Sequence, residues 1–272
     1  MTTATMNKAS DTPRPAIAAT SINVDGIDIR CLQAGAGDPL VYLHGAGGLR
    51  LSMTHRALAE KYRLSALELP GFGRTAAIDA HTSARSIAAT VAKAIKALGI
   101  SRCVLMGHSL GANVALWIAA DMPDLVGTLV LVAPTAIRPE ASPDAPYLPR
   151  EVAAPDPANI WFGEPVSTQL QTAMRDRARN LSGAPRDPEL LQALIKIAVP
   201  VLALFGTRST VVSTDAAREY TARLPKCFAT MVYDAGHDID MERPDAVAAL
   251  VKNFLQHGEG FIVNRDNGMI HP

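Results

Sequence analysis

A serine with glycine two residues to either side, Gly107-His108-Ser109-Leu110-Gly111, follows the apolar run Cys103 to Met106 and opens a helical pattern that continues through Trp117. That spacing suits a nucleophile. A residue on a tight strand-to-helix turn adopts strained backbone angles, and strand and helix approach so closely that the flanking positions must lack side chains. The turn lifts the Ser109 hydroxyl above its sheet and aims the first backbone N–H groups of the helix, with the helix dipole, at a point where an anion can form. An alkoxyl proton is too weakly acidic for a serine to attack a carbonyl unaided at neutral pH, so a base must take it. His237, preceded by Asp234-Ala235-Gly236 after the last strand-like run, is the candidate base. Of the other histidines, His108 lies inside the turn, His44 props a glycine-rich loop, and His55, His81, His257 and His271 stand in no motif. A chance G-x-S-x-G is common, but the strand before it and the helix after it argue against chance here.

The elements that must position these residues are visible as alternating short runs. Thr20 to Val24 and Ile27 to Leu32 flank Asp25-Gly26, a strong hairpin signal, so the sheet should open antiparallel. Strands are then expected at Leu40 to Leu43, Leu64 to Leu67, Cys103 to Met106, Thr128 to Val132, Val199 to Phe205 and Phe228 to Tyr233. Helices are expected at Ser83 to Leu98, Leu110 to Asp121, Asp215 to Leu224 and Pro244 to Gln256. This alternation predicts a doubly wound α/β fold with a mainly parallel sheet. From Pro134 to Ala198 it stops, giving Pro139, Pro143, Pro146, Pro149, Pro155 and Pro157, then Trp161-Phe162 and a helix from Val166 to Asn180. We read residues 135–197 as a helical cap inserted after the sixth strand, residues 20–134 and 198–272 as the core, and residues 1–19 as a disordered leader. The bland alternative for the insertion is a surface excursion with no substrate role.

Bulk properties narrow the class. The 272 residues carry 26 basic and 26 acidic side chains, a net charge of +0, so no single-signed field draws nucleic acid or anionic lipid. No apolar run approaches the roughly 20 residues of a membrane span, and the start of the chain is unlike a secretory signal. Cys31, Cys103 and Cys227 are too few and scattered for a disulfide framework and read as apolar packing residues in a reduced cytoplasm. No metal-ligand spacing or phosphate loop is present, so no metal and no cofactor are implied. The expected partner is a small-molecule substrate, with a homodimer left open.

On these motifs the chain resembles the α/β-hydrolase superfamily from the Asp25-Gly26 hairpin onward. His44-Gly45-Ala46-Gly47-Gly48 is similar to that family's oxyanion loop, Leu69 to Thr75 to its PGFG turn, and Asp234 to His237 to its histidine segment. The resemblance implies an oxyanion hole from the N–H groups of Ala46 and Leu110, with His44, Gly45, His108, Trp161, Phe162 and Met174 as candidates for substrate contact. It also implies a choice among esterases, lactonases, carbon–carbon bond hydrolases and haloperoxidases, since Ser109 argues against chemistries that need Asp at that position. The expected activity is cleavage of an ester or related acyl bond in a small, mostly apolar substrate through an acyl-serine. The alternatives are carbon–carbon bond hydrolysis of vinylogous diketones and silent binding of a small molecule.

The chain departs from the family where the triad acid belongs. After the seventh strand, Gly206-Thr207-Arg208-Ser209 puts Ser209 at the acid position. Three accounts stay open: a weakened Ser109-His237 dyad, an acid on another loop, or a fold that has lost hydrolysis. Asp215 reads as a helix cap, Ala133-Pro134-Thr135 offers no carboxylate, and Glu140 lies in the cap. Ser209 is expected beside His237 Nδ1.

Overall fold

A computed structural model describes residues 15–137, 156–184, 186–258, 260, 263–264 and 269–270. Most of the expected leader, and the proline-rich entry to the cap with Glu140, lie outside them. The first half of the chain forms β1 (Ala18–Val24), β2 (Ile27–Ala34), β3 (Asp38–Leu43), β4 (Leu51–Ser52), α1 (Met53–Ala59), β5 (Tyr62–Leu67), α2 (Ala84–Ala97), β6 (Cys103–His108), α3 (Leu110–Asp121) and β7 (Val126–Val132). Then come β8 (Ile160–Phe162), α4 (Thr168–Ser182), α5 (Pro188–Leu194), β9 (Val201–Gly206), α6 (Ala216–Arg223) and β10 (Cys227–Val232). The last elements are α7 (Ile239–Glu242), α8 (Pro244–His257), β11 (Val263–Asn264) and β12 (Met269–Ile270). β1 begins at Ala18, inside the stretch expected as leader.

Eight strands form one sheet in the order β1-β2-β5-β3-β6-β7-β9-β10. β1 and β2 pair antiparallel across Asp25 and Gly26, whose φ values of 51° and 83° are what a two-residue turn between twisted strands demands. β2 meets β5 antiparallel, and every later pairing is parallel. Successive side chains of these strands enter two different cores, which is why the strands read as unbroken apolar runs. Val41, Leu43, Leu105, Leu129, Ala203 and Phe205 share one core with residues of α2, α3 and α6. Leu40, Tyr42, Met106, Val130, Val132 and Leu204 share the other with residues of α1 and α8.

The segment between β7 and β9 is fastened to the core on one side of the strand ends. β8 pairs antiparallel with β4, and Arg30 grips Glu164 with both guanidinium nitrogens at 3.0 and 2.6 Å. α4 turns Met174, Ala178 and Leu181 inward, a buried stripe at helical spacing. A β-carbon placed on Gly48 would lie 3.4 Å from Met174 Sδ, so α4 reaches the loop after β3.

Candidate active site

Ser109 sits between β6 and α3 with φ 52° and ψ −113°, a conformation that only glycine adopts freely. Three contacts hold it there. Its N–H donates to Val132 O at 2.9 Å, continuing the β6–β7 ladder past the end of the strand. Its carbonyl accepts the N–H groups of Ala112 at 3.0 Å and Asn113 at 3.3 Å, starting the helix at once. The flanking glycines are dictated by contact: a β-carbon on Gly107 would strike Gly111 O, and one on Gly111 would strike Leu43 O and lie 2.6 Å from His44 O. The turn therefore presses on the end of β3 as well.

The loop after β3 is set by His44, which is 1% exposed. Its Nδ1–H donates to Gly45 O at 2.7 Å and its Nε2 accepts the Leu69 N–H at 2.9 Å. Those bonds fix a neutral tautomer, and burial pushes the ring down to about 4. With both nitrogens spent on backbone, His44 props the loop after β3 against the one that carries Leu69. Gly45 lies against the elbow, since a β-carbon on it would stand 3.1 Å from Ser109 Cβ. Among the described residues neither the Ala46 nor the Leu110 N–H donates to a protein acceptor. Glu68 orders the adjoining turn: its buried carboxylate accepts the N–H groups of Arg74 and Thr75, each at 2.8 Å, and the Thr75 hydroxyl at 3.0 Å.

His237 follows β10 on a loop that bends through Asp234 at φ 58°. The loop rests against Gly206, where a β-carbon would strike Gly236 O and lie 2.5 Å from Ala235 O. Glu242, from α7, accepts the Gly236 N–H at 2.7 Å and so ties down the residue before the histidine. His237 Nε2 stands 3.0 Å from Ser109 Oγ. Burial, with neighbouring His108 adding and Asp238 opposing, pushes its pKa down to about 3, so the imidazole is neutral and able to accept a proton.

The other ring nitrogen departs from expectation. His237 Nδ1 is buried and has no hydrogen-bond partner among the described residues. Ser209 does not bond it: its hydroxyl accepts the Val212 N–H at 3.2 Å and closes the turn after β9. Asp215 stands at the start of α6 but makes no side-chain cap bond, and instead accepts the Ser213 hydroxyl at 3.3 Å. A short hydroxyl in a turn satisfies the nearest backbone donor before it reaches across to another loop.

His108 donates from Nε2 to His237 O at 3.1 Å, a bond that braces the loop of His237. Trp161 and Phe162 are half-buried on β8 against the core cluster that includes Leu49, Leu51 and Leu58, and Arg30 lies 5.7 Å over the Phe162 ring. Sequence reasoning missed Arg50 and Asp238, whose side chains meet across 188 positions, and Glu68 and Glu242, whose bonds to backbone N–H groups six or seven residues away match no motif. Cys31 and Cys103 are buried and Cys227 is half-buried, all with free thiols. Among the described residues no group of His, Cys, Asp or Glu could hold a metal, and no helix is long and apolar enough to cross a membrane.

Comparison with known proteins agrees with this fold. The dihydrolipoyllysine-residue acetyltransferase component of the acetoin cleaving system of Cupriavidus necator is 28% identical over 261 residues, covering 86% of this chain and 68% of that protein. The 2-hydroxy-6-oxo-6-(2'-aminophenyl)hexa-2,4-dienoic acid hydrolase of Metapseudomonas resinovorans is 25% identical, over 92% of this chain and 96% of its own. The crystal structure of naproxen esterase (carboxylesterase NP) from Bacillus subtilis shares the fold, with a TM-score of 0.66 at 19% identity over 89% of this chain and 92% of that one. The pattern of the alpha/beta hydrolase family matches residues 40–250, from β3 into α8 and through every loop that carries the site. The chain is an enzyme of the α/β-hydrolase family.

Proposed function

We propose that this hydrolase cleaves an ester, or a related acyl bond, of a small and mostly apolar substrate through an acyl-Ser109 intermediate. The observation that carries the reading is the 3.0 Å approach of His237 Nε2 to the hydroxyl of a serine held at φ 52°. His237 takes the hydroxyl proton as Ser109 Oγ bonds to the substrate carbonyl carbon. The oxyanion forms where the free N–H groups of Ala46 and Leu110 and the start of α3 converge, the arrangement that contributes most to acyl transfer. His237 returns the proton to the leaving oxygen as the carbon–oxygen bond breaks. Water then attacks the acyl carbon, giving a proton to His237, which passes it to Ser109 Oγ as the carbon–Oγ bond breaks and the acid leaves. Residues 135–197 act as the cap over the acyl site, a role supported by Met174 beside Gly48.

The test is hydrolysis of short p-nitrophenyl esters by wild type and Ser109→Ala. Loss of all turnover in the variant supports the reading, and equal rates eliminate it. A second reading, carbon–carbon bond hydrolysis of a vinylogous diketone, is favoured by the Metapseudomonas resinovorans relative, whose match spans 92% of this chain. Disappearance of the absorbance of such a dienol with enzyme, while esters stay intact, would select it. Failure of a fluorophosphonate to label Ser109 would instead select silent binding.

A further inference from the structure

The reaction drawn above makes His237 an imidazolium, yet its Nδ1 has no partner among the described residues. A positive charge arising in so enclosed a place is costly unless a negative one stands near it. We infer that Asp238 supplies that negative charge, as a positioning residue that stabilises protonated His237 across space from a buried cluster behind the dyad. This rests on the Ser109-His237 reading.

Asp238 directly follows His237, and its side chain is 13% exposed. Its Oδ2 accepts from Arg50 Nη2 at 3.3 Å. Its Oδ1 lies 3.6 Å from His108 Nε2, and the His108 ring is 5.3 Å from that of His237. Arg50, His108, Asp238 and Asp240 all line one cavity of about 10 Å³, so these groups face a common point. Arg50 Nε and Asp240 Oδ1 are buried without partners among the described residues. The cluster thus sets the Asp238 and Asp240 carboxyl groups beside one guanidinium and the His108 ring.

Three further titratable neighbours of the cluster are uncharged. Burial holds His44 and His55 at about 4 and pushes the Tyr42 hydroxyl well above its ordinary range, so all three are neutral. Burial would also raise the Asp238 carboxyl, but His108, Arg50 and His237 outweigh it and hold the group below its ordinary value. Because the charge acts without a direct hydrogen bond, its effect on His237 should be about tenfold, well short of a bonded triad acid.

The rate of fluorophosphonate labelling of Ser109, followed against pH in the full chain, tests this. Asp238→Asn is expected to label about tenfold more slowly, with its acid limb moved to lower pH because His237 holds a proton less well. Asp238→Glu should recover most of the rate. Arg50→Gln, which removes the opposing charge, should move the acid limb to higher pH. Thermal unfolding of each variant identifies a loss of fold, and a slow Asp238→Asn with an unmoved limb, or limbs that move the same way in both variants, overturns the inference. Wild type that stays unlabelled overturns the dyad reading and this inference with it, whereas a labelled wild type and an indifferent Asp238→Asn overturn the inference alone.

Discussion

Replacing Ser109 with glycine should give a more stable protein than replacing it with alanine, although neither keeps the hydroxyl. The φ 52°, ψ −113° conformation of Ser109 belongs to glycine, and for a residue with a β-carbon it costs up to about 3 kcal/mol. Alanine keeps the β-carbon and the strain. Glycine removes both. Two losses oppose the gain: glycine frees the unfolded chain by about 0.5–1 kcal/mol, and a buried carbon is worth about 0.8 kcal/mol. The 3.0 Å bond to His237 is lost in both variants and cancels from the comparison. The balance is about 1 kcal/mol in favour of Ser109→Gly, a rise of roughly 2–4 °C in Tm over Ser109→Ala for a chain of this size. Differential scanning calorimetry of the pair measures it. If Ser109→Gly melts at or below Ser109→Ala, the elbow stores less than the roughly 1.3–1.8 kcal/mol of the two opposing losses, and the strain inferred from its positive φ is refuted.

Further perturbations probe the rest of the site. Gly111→Ala drives a β-carbon against Leu43 O and to 2.6 Å from His44 O, so it should cost about 1–3 kcal/mol in urea unfolding and lower ester turnover by shifting the oxyanion loop; an unchanged midpoint would show that the crossing has slack. His44 and His55, both held at about 4 by burial, are neutral when folded and take up protons on unfolding, so their stabilisation is complete above the ordinary value of 6.5 and is lost as pH falls towards 4. Stability should decline in that window by about 3 kcal/mol per pH unit for the two rings together, and urea unfolding that stays flat there refutes their neutral burial. Ser209→Asp retains an acceptor for the Val212 N–H and offers a second oxygen to His237 Nδ1. It should raise kcat, by at most about 10⁴-fold, with Ser109 still essential; an unchanged kcat in a folded variant would place that nitrogen beyond the turn after β9.

What the sequence made legible was set by backbone geometry. Gly107 and Gly111 are required because strand and helix touch at those positions, and the Asp25-Gly26 turn because both residues take positive φ. The strands were visible because both sheet faces are covered, and α3 because it is buried along most of its length. β4 and α1 were not visible, since they are held by remote partners. β4 pairs with β8, and the Thr54 hydroxyl reaches the carbonyls of Asp240 at 3.1 Å and Pro244 at 3.0 Å. α7 was missed for the same reason, although its Glu242 steadies the loop of His237 through Gly236.

The acid position shows where motif reading stops. Gly206 to Ser209 reveals that the customary carboxylate is absent, but the sequence does not say what the hydroxyl does instead. In the fold Ser209 closes its own turn on Val212, and among the described residues His237 Nδ1 has no acceptor that would fix the tautomer presenting a bare Nε2 to Ser109. A neutral ring so placed divides between two tautomers, one of which points its Nε2–H at the serine and cannot take the proton. Turnover should therefore be limited by two separable deficits, a fraction of dyads in the wrong tautomer and an imidazolium without a bonded counter-charge. Asp238 addresses only the second, because it reaches His237 through the field of its cluster and makes no bond to Nδ1. Ser209→Asp would address both, which is why its rate gain should exceed the loss caused by Asp238→Asn.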